Sequence, residues 1–404
     1  MSHPRIVVTG LGLVSAAGGD TDATWDAVAE ARSCIGPIQT FDAAVFQNPT
    51  GAELLELPAA ERPGDDRALR MLLAAGRQAA GDLAPRLAED SEVRRRTAVV
   101  LGTSQGSILG MADVHRRMRR EGGELTPEDR DAIRAYRPGN GAGRLADALG
   151  IEGPRTTIGM VCVSSSMALL QGTGLIRDGV VDRVLAGGFE GFSPFIFTGF
   201  YCIGAASRTL CRPFDKRRDG TILGEAASLL LLETEEAARE RGAEPLAILE
   251  GGGFAADGVH MTAPDREGRG MERAIRQALA DSGVDAADID YVNAHGTGTP
   301  YNDAMECKAL ARVLPGKMPP ISSIKSIFGH TLGAAGGLDA GVSILAMRHQ
   351  VLPPTVNGGE EPEVDDWDFV FERARPTQGL NRVLSTNAAM AGNNTALLFR
   401  RYEG

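Results

Sequence analysis

Two stretches of this chain follow the same plan, and that repetition limits the folds open to it. An amphipathic run at 67–78 precedes an apolar, strand-like run at 97–103, and the pairing returns at 271–279 and 291–297. A glycine-flanked turn opening onto a small-residue helix also occurs twice, around Cys162 and around His330. Strands alternating with helices predict parallel sheets joined by right-handed crossovers. Two similar halves, 1–250 and 251–404, predict a duplicated α/β unit. Between about 105 and 155 the alternation breaks, and this polar, arginine-rich, helical stretch is expected to be an insertion capping the substrate side.

With 404 residues the chain can bury a large core, and 43% hydrophobic residues with 51 glycines describe a turn-rich globular protein. Cysteines at 34, 162, 202, 211 and 307 form no CxxC pair, which argues for a reducing compartment and against a zinc site. The chain enters a strand almost at once and has no apolar run long enough to span a bilayer, so a cytoplasmic protein that does not engage a membrane is expected. A net charge of −11 disfavours nucleic acid as a partner.

Cys162 stands where the strand-like run Ile158-Gly-Met-Val passes into the helix Ser164-Ser-Ser-Met-Ala-Leu-Leu. A thiol there lies beside unpaired N–H groups and the positive end of a helix dipole, which favour thiolate. A buried structural cysteine is the other reading. His295 lies in Asp290-Tyr-Val-Asn-Ala-His-Gly-Thr-Gly-Thr-Pro and His330 in Ser323-Ile-Lys-Ser-Ile-Phe-Gly-His-Thr-Leu-Gly. Two of only six histidines thus occupy glycine-flanked turns between a strand and a helix.

These three segments resemble the β-ketoacyl synthases, the condensing enzymes of fatty-acid and polyketide assembly. The resemblance also takes in residues 5–15, Leu185-Ala-Gly-Gly-Phe-Glu, and the string from Arg212 through Asp215 and Asp219 to Ala226, where Arg212, Asp215 and Asp219 read as structural. It implies a thiolase-like fold of five αβαβα layers with the active site between the halves. The implied reaction is decarboxylative condensation of an acyl chain on Cys162 with a malonyl-carrier thioester. It needs no metal and no cofactor, because lost carbon dioxide drives it. The implied partners are an acyl carrier protein and a second subunit, either identical or similar to a chain-length factor. A non-decarboxylative acyltransferase and a chain-length-factor-like partner subunit are the alternatives.

By the same resemblance, His295 and His330 are donors to the enolate, and the N–H groups of Cys162 and Ala391 form the oxyanion hole. Lys325 matches the active-site lysine and Asp339 its carboxylate partner, a structural ion pair being the alternative. Asp303 and Glu306 would support the network around Lys325, unless they only begin a helix. Thr297 and Thr299 match the threonines that hold the pantetheine arm. The apolar stretch 192–201 is expected to contribute to the acyl pocket. Arg67, Arg70, Arg116, Arg117, Arg119, Arg120, Arg208 and Arg212 are candidates for docking an acidic carrier, against the alternative of a solvated face.

The chain departs from the family at its C-terminal turn. Where the family has Asn-Ser-Phe-Gly-Phe-Gly-Gly-Thr-Asn, this chain reads Asn387-Ala-Ala-Met-Ala-Gly-Asn-Asn-Thr. Matched from the first asparagine, both aromatics become alanine, at Ala389 and Ala391, with Met390 between them. The family's second aromatic is a gate beside the cysteine. An open acyl gate, and a role in specialised metabolism with a rigid or conjugated acyl chain, are the resulting expectations.

Overall fold

The computed structural model describes residues 3–403 apart from Pro63, Pro138 and Pro315. Ten strands make up its main sheet: β1 (Ile6–Ser15), β2 (Thr97–Gly102), β3 (Arg155–Ile158), β4 (Arg183–Glu190), β5 (Ala226–Thr234), β6 (Ala247–Ala256), β7 (Tyr291–Asn293), β8 (Ile321–Ser322), β9 (Arg382–Ala389) and β10 (Asn393–Arg401). Their spatial order is β8-β7-β9-β10-β6-β1-β5-β4-β2-β3. Each half therefore has one topology: β1-β5-β4-β2-β3 becomes β6-β10-β9-β7-β8 when five is added to every number. Duplication is written in the strand order itself. The halves meet through a short antiparallel seam, Val7 opposite Ile248 and Val8 opposite Ala247. Residue 250 falls inside β6, so the division into halves that we propose is drawn before Ala247.

The sheets are mixed rather than parallel. In each half the strands that flank crossover helices run parallel, β4-β2-β3 and β9-β7-β8. The strands nearest the seam are antiparallel. The cause is plain in the second half, where β9 turns straight back into β10 through Met390–Gly392, a connection too short to return a parallel strand.

Helices complete the layers. On the outside of the first half lie α1 (Arg67–Ala80), the hairpin of α2 (Ile108–Glu121) and α3 (Pro127–Ala135), and α4 (Asn140–Leu149). Between the sheets lie α5 (Ser164–Arg177) and α9 (Ala335–His349); α6 (Pro194–Cys202) follows β4, and α7 (Arg269–Ser282) and α8 (Pro300–Val313) cover the second half. A surface helix shows one apolar stripe, whereas α9 is buried at every residue from Ala335 to Met347, as a helix packed on all sides must be. This is the expected five-layer arrangement. The arginine-rich stretch is shorter than its expected limits: α4 packs with α1 in the first half's core, leaving α2 and α3 as the insertion. None of its described residues lines the cavity that reaches Cys162. Among the described residues, no helix is long and apolar enough to cross a membrane.

Candidate functional site

Cys162, His295 and His330 stand in the connections that lead from a strand toward a helix, the place where open α/β sheets leave room for ligands. After β3 the chain makes a tight turn, Val161–Val163, before α5; after β8 the turn Leu332–Ala334 precedes α9. The two turns are counterparts, each opening on a non-glycine residue in the left-handed region, Val161 at φ 53° and Leu332 at φ 52°. The strained corner in the first half presents Cys162, only 3% exposed, to the interior.

His330 Nε2 lies 3.1 Å from Cys162 Sγ. The His295 ring meets the His330 ring edge to face, 5.3 Å between centroids. Both imidazoles are buried, and burial together with the nearby Lys325 charge holds them well below their ordinary pKa, so they are neutral. His330 Nδ1 has no hydrogen-bond partner among the described residues. The Cys162 thiol is pushed up to about 12 by burial, with the Lys325 charge pulling the other way. The helix terminus therefore does not make a resting thiolate, contrary to the sequence reading; burial outweighs it, and the thiol must lose its proton during reaction.

Lys325 Nζ pairs with Asp339 Oδ2 at 3.1 Å, both side chains buried, as expected. Asp303 and Glu306 do not join that pair. Asp303 accepts from the Gly298 and Phe214 N–H groups and faces Arg218, so it shapes the Thr297–Thr299 turn. Glu306 accepts from the N–H groups of His295 and Gly296 at 2.8 and 2.9 Å and from Thr386 Oγ1 at 2.6 Å. It clamps the histidine turn, and burial raises its carboxyl to about 7.

A cavity of about 330 Å³ reaches this cluster from the surface. Its lining includes Cys162, His295 and His330 at the floor, Thr297 and Thr299 on the wall, and Tyr301 and Ile203 at the mouth. The two threonine hydroxyls lie 2.8 Å apart. From the 192–201 stretch only Phe200 lines it, while Phe192 and Phe197 pack behind Cys162.

The C-terminal turn corrects the sequence reading. Ala389 and Met390 line the cavity, but Ala391 is exposed, has φ 66°, and spends its N–H on Met261 O at 2.8 Å. It is neither gate nor oxyanion donor. The backbone N–H groups of Met390 and of Cys162 itself lie near enough to the Cys162 sulfur to favour its charged form. Registering the family string by its last asparagine, at Asn394, finds this: it places the second aromatic position at Met390. The residue beside Cys162 at that position is a methionine, not an alanine.

Several proposed docking arginines are occupied. Arg67 is chelated by the buried Glu225 and donates to Leu54 O. Arg70 donates to the Pro58 and Leu57 carbonyls, Arg117 binds Asp129, and Arg116 binds Asp113 of its own helix. Arg119 and Arg120 are exposed on α2, and Arg212 borders a separate surface cavity. Arg208 is exposed beside the mouth, its backbone N–H bonded to Asp219, a residue of the lining.

The chain matches the Beta-ketoacyl synthase, N-terminal domain, over residues 3–238 and the Beta-ketoacyl synthase, C-terminal domain, over 246–359. It is 34% identical over 420 residues to the tetracenomycin polyketide synthase ketoacyl synthase alpha subunit of Streptomyces glaucescens, covering 99% of this chain and 98% of that protein. With 3-oxoacyl-[acyl-carrier-protein] synthase 2 of Vibrio harveyi it shares 32% identity over 421 residues, 99% of each. The solved ishigamide ketosynthase/chain length factor superposes with a TM-score of 0.92 at 32% identity, covering 100% of both chains. A thiolase-like fold, a cysteine against two neutral histidines, and likeness along the whole length agree: this chain belongs to the β-ketoacyl synthase family and is a condensing acyltransferase.

Proposed function

We propose that the chain elongates an acyl group on Cys162 by condensation with a malonyl thioester, both delivered by an acyl carrier protein. The observation that carries this is the contact of His330 Nε2 with Cys162 Sγ beside His295, at the floor of a cavity walled by Thr297 and Thr299. In loading, His330 Nε2 accepts the thiol proton, the sulfur attacks the acyl thioester carbonyl, and the N–H groups of Cys162 and Met390 receive the oxyanion. The C–S bond to the carrier breaks, and the carrier thiol leaves with the proton. Among the described residues none bonds His330 Nδ1, so the ring can carry its proton on either nitrogen. In condensation, His295 and His330 donate to the malonyl thioester oxygen while the carboxylate leaves as carbon dioxide. The carbanion then attacks acyl-Cys162, and collapse of the tetrahedral intermediate frees the thiolate and the β-ketoacyl thioester. Thr297 and Thr299 hold the pantetheine arm.

The wall at Met390 supports an acyl range beyond a straight saturated chain, because methionine is slimmer and more adaptable than phenylalanine. We assign the enzyme to specialised metabolism on that ground, with a rigid or conjugated chain as substrate. A chain-length-factor-like partner fits the likeness to the ishigamide complex. Intact-protein mass spectrometry after incubation with acyl-carrier thioesters tests the reading. The wild type should gain one acyl group, Cys162→Ala none, and malonyl-carrier should discharge the adduct as a β-ketoacyl product. Discharge to an amine or alcohol without malonyl consumption would instead mean simple acyl transfer. Failure to load, alone and with a co-expressed second subunit, would make the chain a non-catalytic partner.

A further inference from the structure

We propose that Asn387 is a positioning residue that sets the tautomer of His295, keeping its proton on Nε2. The inference rests on the condensation reading above. Asn387 lies on β9, fully buried. Its Nδ2 donates to Asp339 Oδ2 at 2.7 Å, and its Oδ1 accepts from Ser166 Oγ at 3.0 Å. The amide's orientation follows from chemistry: a carboxylate paired with Lys325 can only accept, so the nitrogen must face it. The remaining amide hydrogen then belongs to the side of His295 Nδ1, 3.4 Å away. At that length the contact is weak as a bond, and its force lies in what it excludes. A proton on Nδ1 would set two donors face to face in a buried site, whereas a lone pair there accepts. The proton consequently sits on Nε2.

His330 has no such constraint among the described residues, where its Nδ1 is unpartnered. The two histidines are therefore unlike: His330 is left to exchange a proton with Cys162, and His295 is fixed as a donor. Asn387 also links the helix that starts after Cys162, through Ser166 on α5, with the helix that follows His330, through Asp339 on α9.

The test separates loading from condensation. Asn387→Ala should lower kcat for condensation about tenfold or more, leaving the rate of Cys162 acylation within about threefold and KM for the malonyl thioester unchanged. Asn387→Asp sets a second carboxyl against Asp339, so the pair holds one proton between them, and the oxygen turned to His295 accepts from an Nδ1 proton; condensation should fall further, toward the roughly 10²-fold loss that follows removal of one donor. Nitrogen-15 spectra of histidine-labelled protein, with the His295 signals assigned through His295→Gln, give a readout that catalysis does not affect. Wild-type Nδ1 should appear unprotonated and Nε2 protonated, with the assignment reversed in Asn387→Asp. Condensation by Asn387→Ala within twofold of wild type, or a protonated wild-type Nδ1, would overturn the proposal. A wild type that loads Cys162 but releases no carbon dioxide from malonyl thioester counts against the condensation reading instead, and the spectra still decide the tautomer.

Discussion

A buried thiol with its pKa pushed up to about 12, touching a neutral imidazole, is a nucleophile that waits for its substrate. This has a signature in pH. Because both histidine pKa values are depressed, His330 stays able to accept the thiol proton as pH falls through 6.5, where a free imidazole would be half protonated. Because the thiol is raised, no alkaline limb belongs near 8.5 either. The rate of Cys162 acylation should thus be flat between about pH 6.5 and 8.5, and a limb centred near either end would contradict the assigned environment. The gate gives a second residue-scale prediction. Met390→Phe narrows the wall beside Cys162 and should reduce loading of bulky or conjugated chains at least about tenfold relative to short saturated ones. Ala391→Phe, on the outer side of the turn, should leave that ratio unchanged. The opposite pattern in acyl-adduct mass spectra would return the gate to Ala391. Cys162, His295, His330 and Lys325 were legible because each sits in a distinctive string. Met390 was misplaced because a short turn permits two registers differing by one residue, one anchored at Asn387 and the other at Asn394, and the backbone direction favours the second. Asn387 opened the C-terminal string but had no role assigned to it; its role comes from neighbours brought in by three other elements.

At the scale of elements, the site depends on how closely α5 and α9 approach. Gly336 at the start of α9 makes this approach possible, because a Cβ there would overlap Ser166 Oγ of α5; its neighbour Gly337 does the same against β5, where a Cβ would overlap Ser228 Oγ. Such glycines lower helix propensity by up to ~1 kcal/mol each, so the packing they permit must offset that cost. Gly336→Ala would force the helices apart where Ser166 meets Asn387, and overpacking of this kind typically costs about 1–3 kcal/mol. A fall in the thermal midpoint, with condensation lost more than acyl loading, is the expected result of melting and kinetic comparison. Unchanged melting would show that the helices relax without strain. The small-residue runs pointed to this packing from the sequence alone, as the alternation pointed to layers. Strand direction was not legible in the same way. An alternating pattern shows that a segment is a strand, but whether neighbours run parallel is fixed by connections such as the Met390–Gly392 turn, which carry little pattern of their own.

For the whole molecule, the proposed function sets a chain of net charge −11 against a carrier expected to be acidic, so attraction has to come from local rather than net charge. The sequence pointed to clusters of arginines, but it could not distinguish those facing solvent from those consumed by internal pairs. Arg67 is one of the latter. Removing it strands the buried Glu225, a change that typically costs about 3–5 kcal/mol, so Arg67→Ala should lower stability rather than docking. Arg208 differs: it is exposed beside Asp219 of the cavity lining, and among the described residues no carboxylate pairs with its guanidinium. Arg208→Glu should therefore weaken carrier association several-fold at low ionic strength, with the difference shrinking as salt rises toward a Debye length of about 8 Å at 0.15 M. Melting temperature and loading from a small carrier-free thioester should not change. Surface-plasmon or calorimetric titration with carrier protein across a salt series makes the measurement. An affinity indifferent to Arg208→Glu, but lost in a charge reversal of Arg119 and Arg120, would move the docking face from the rim to the α2 insertion.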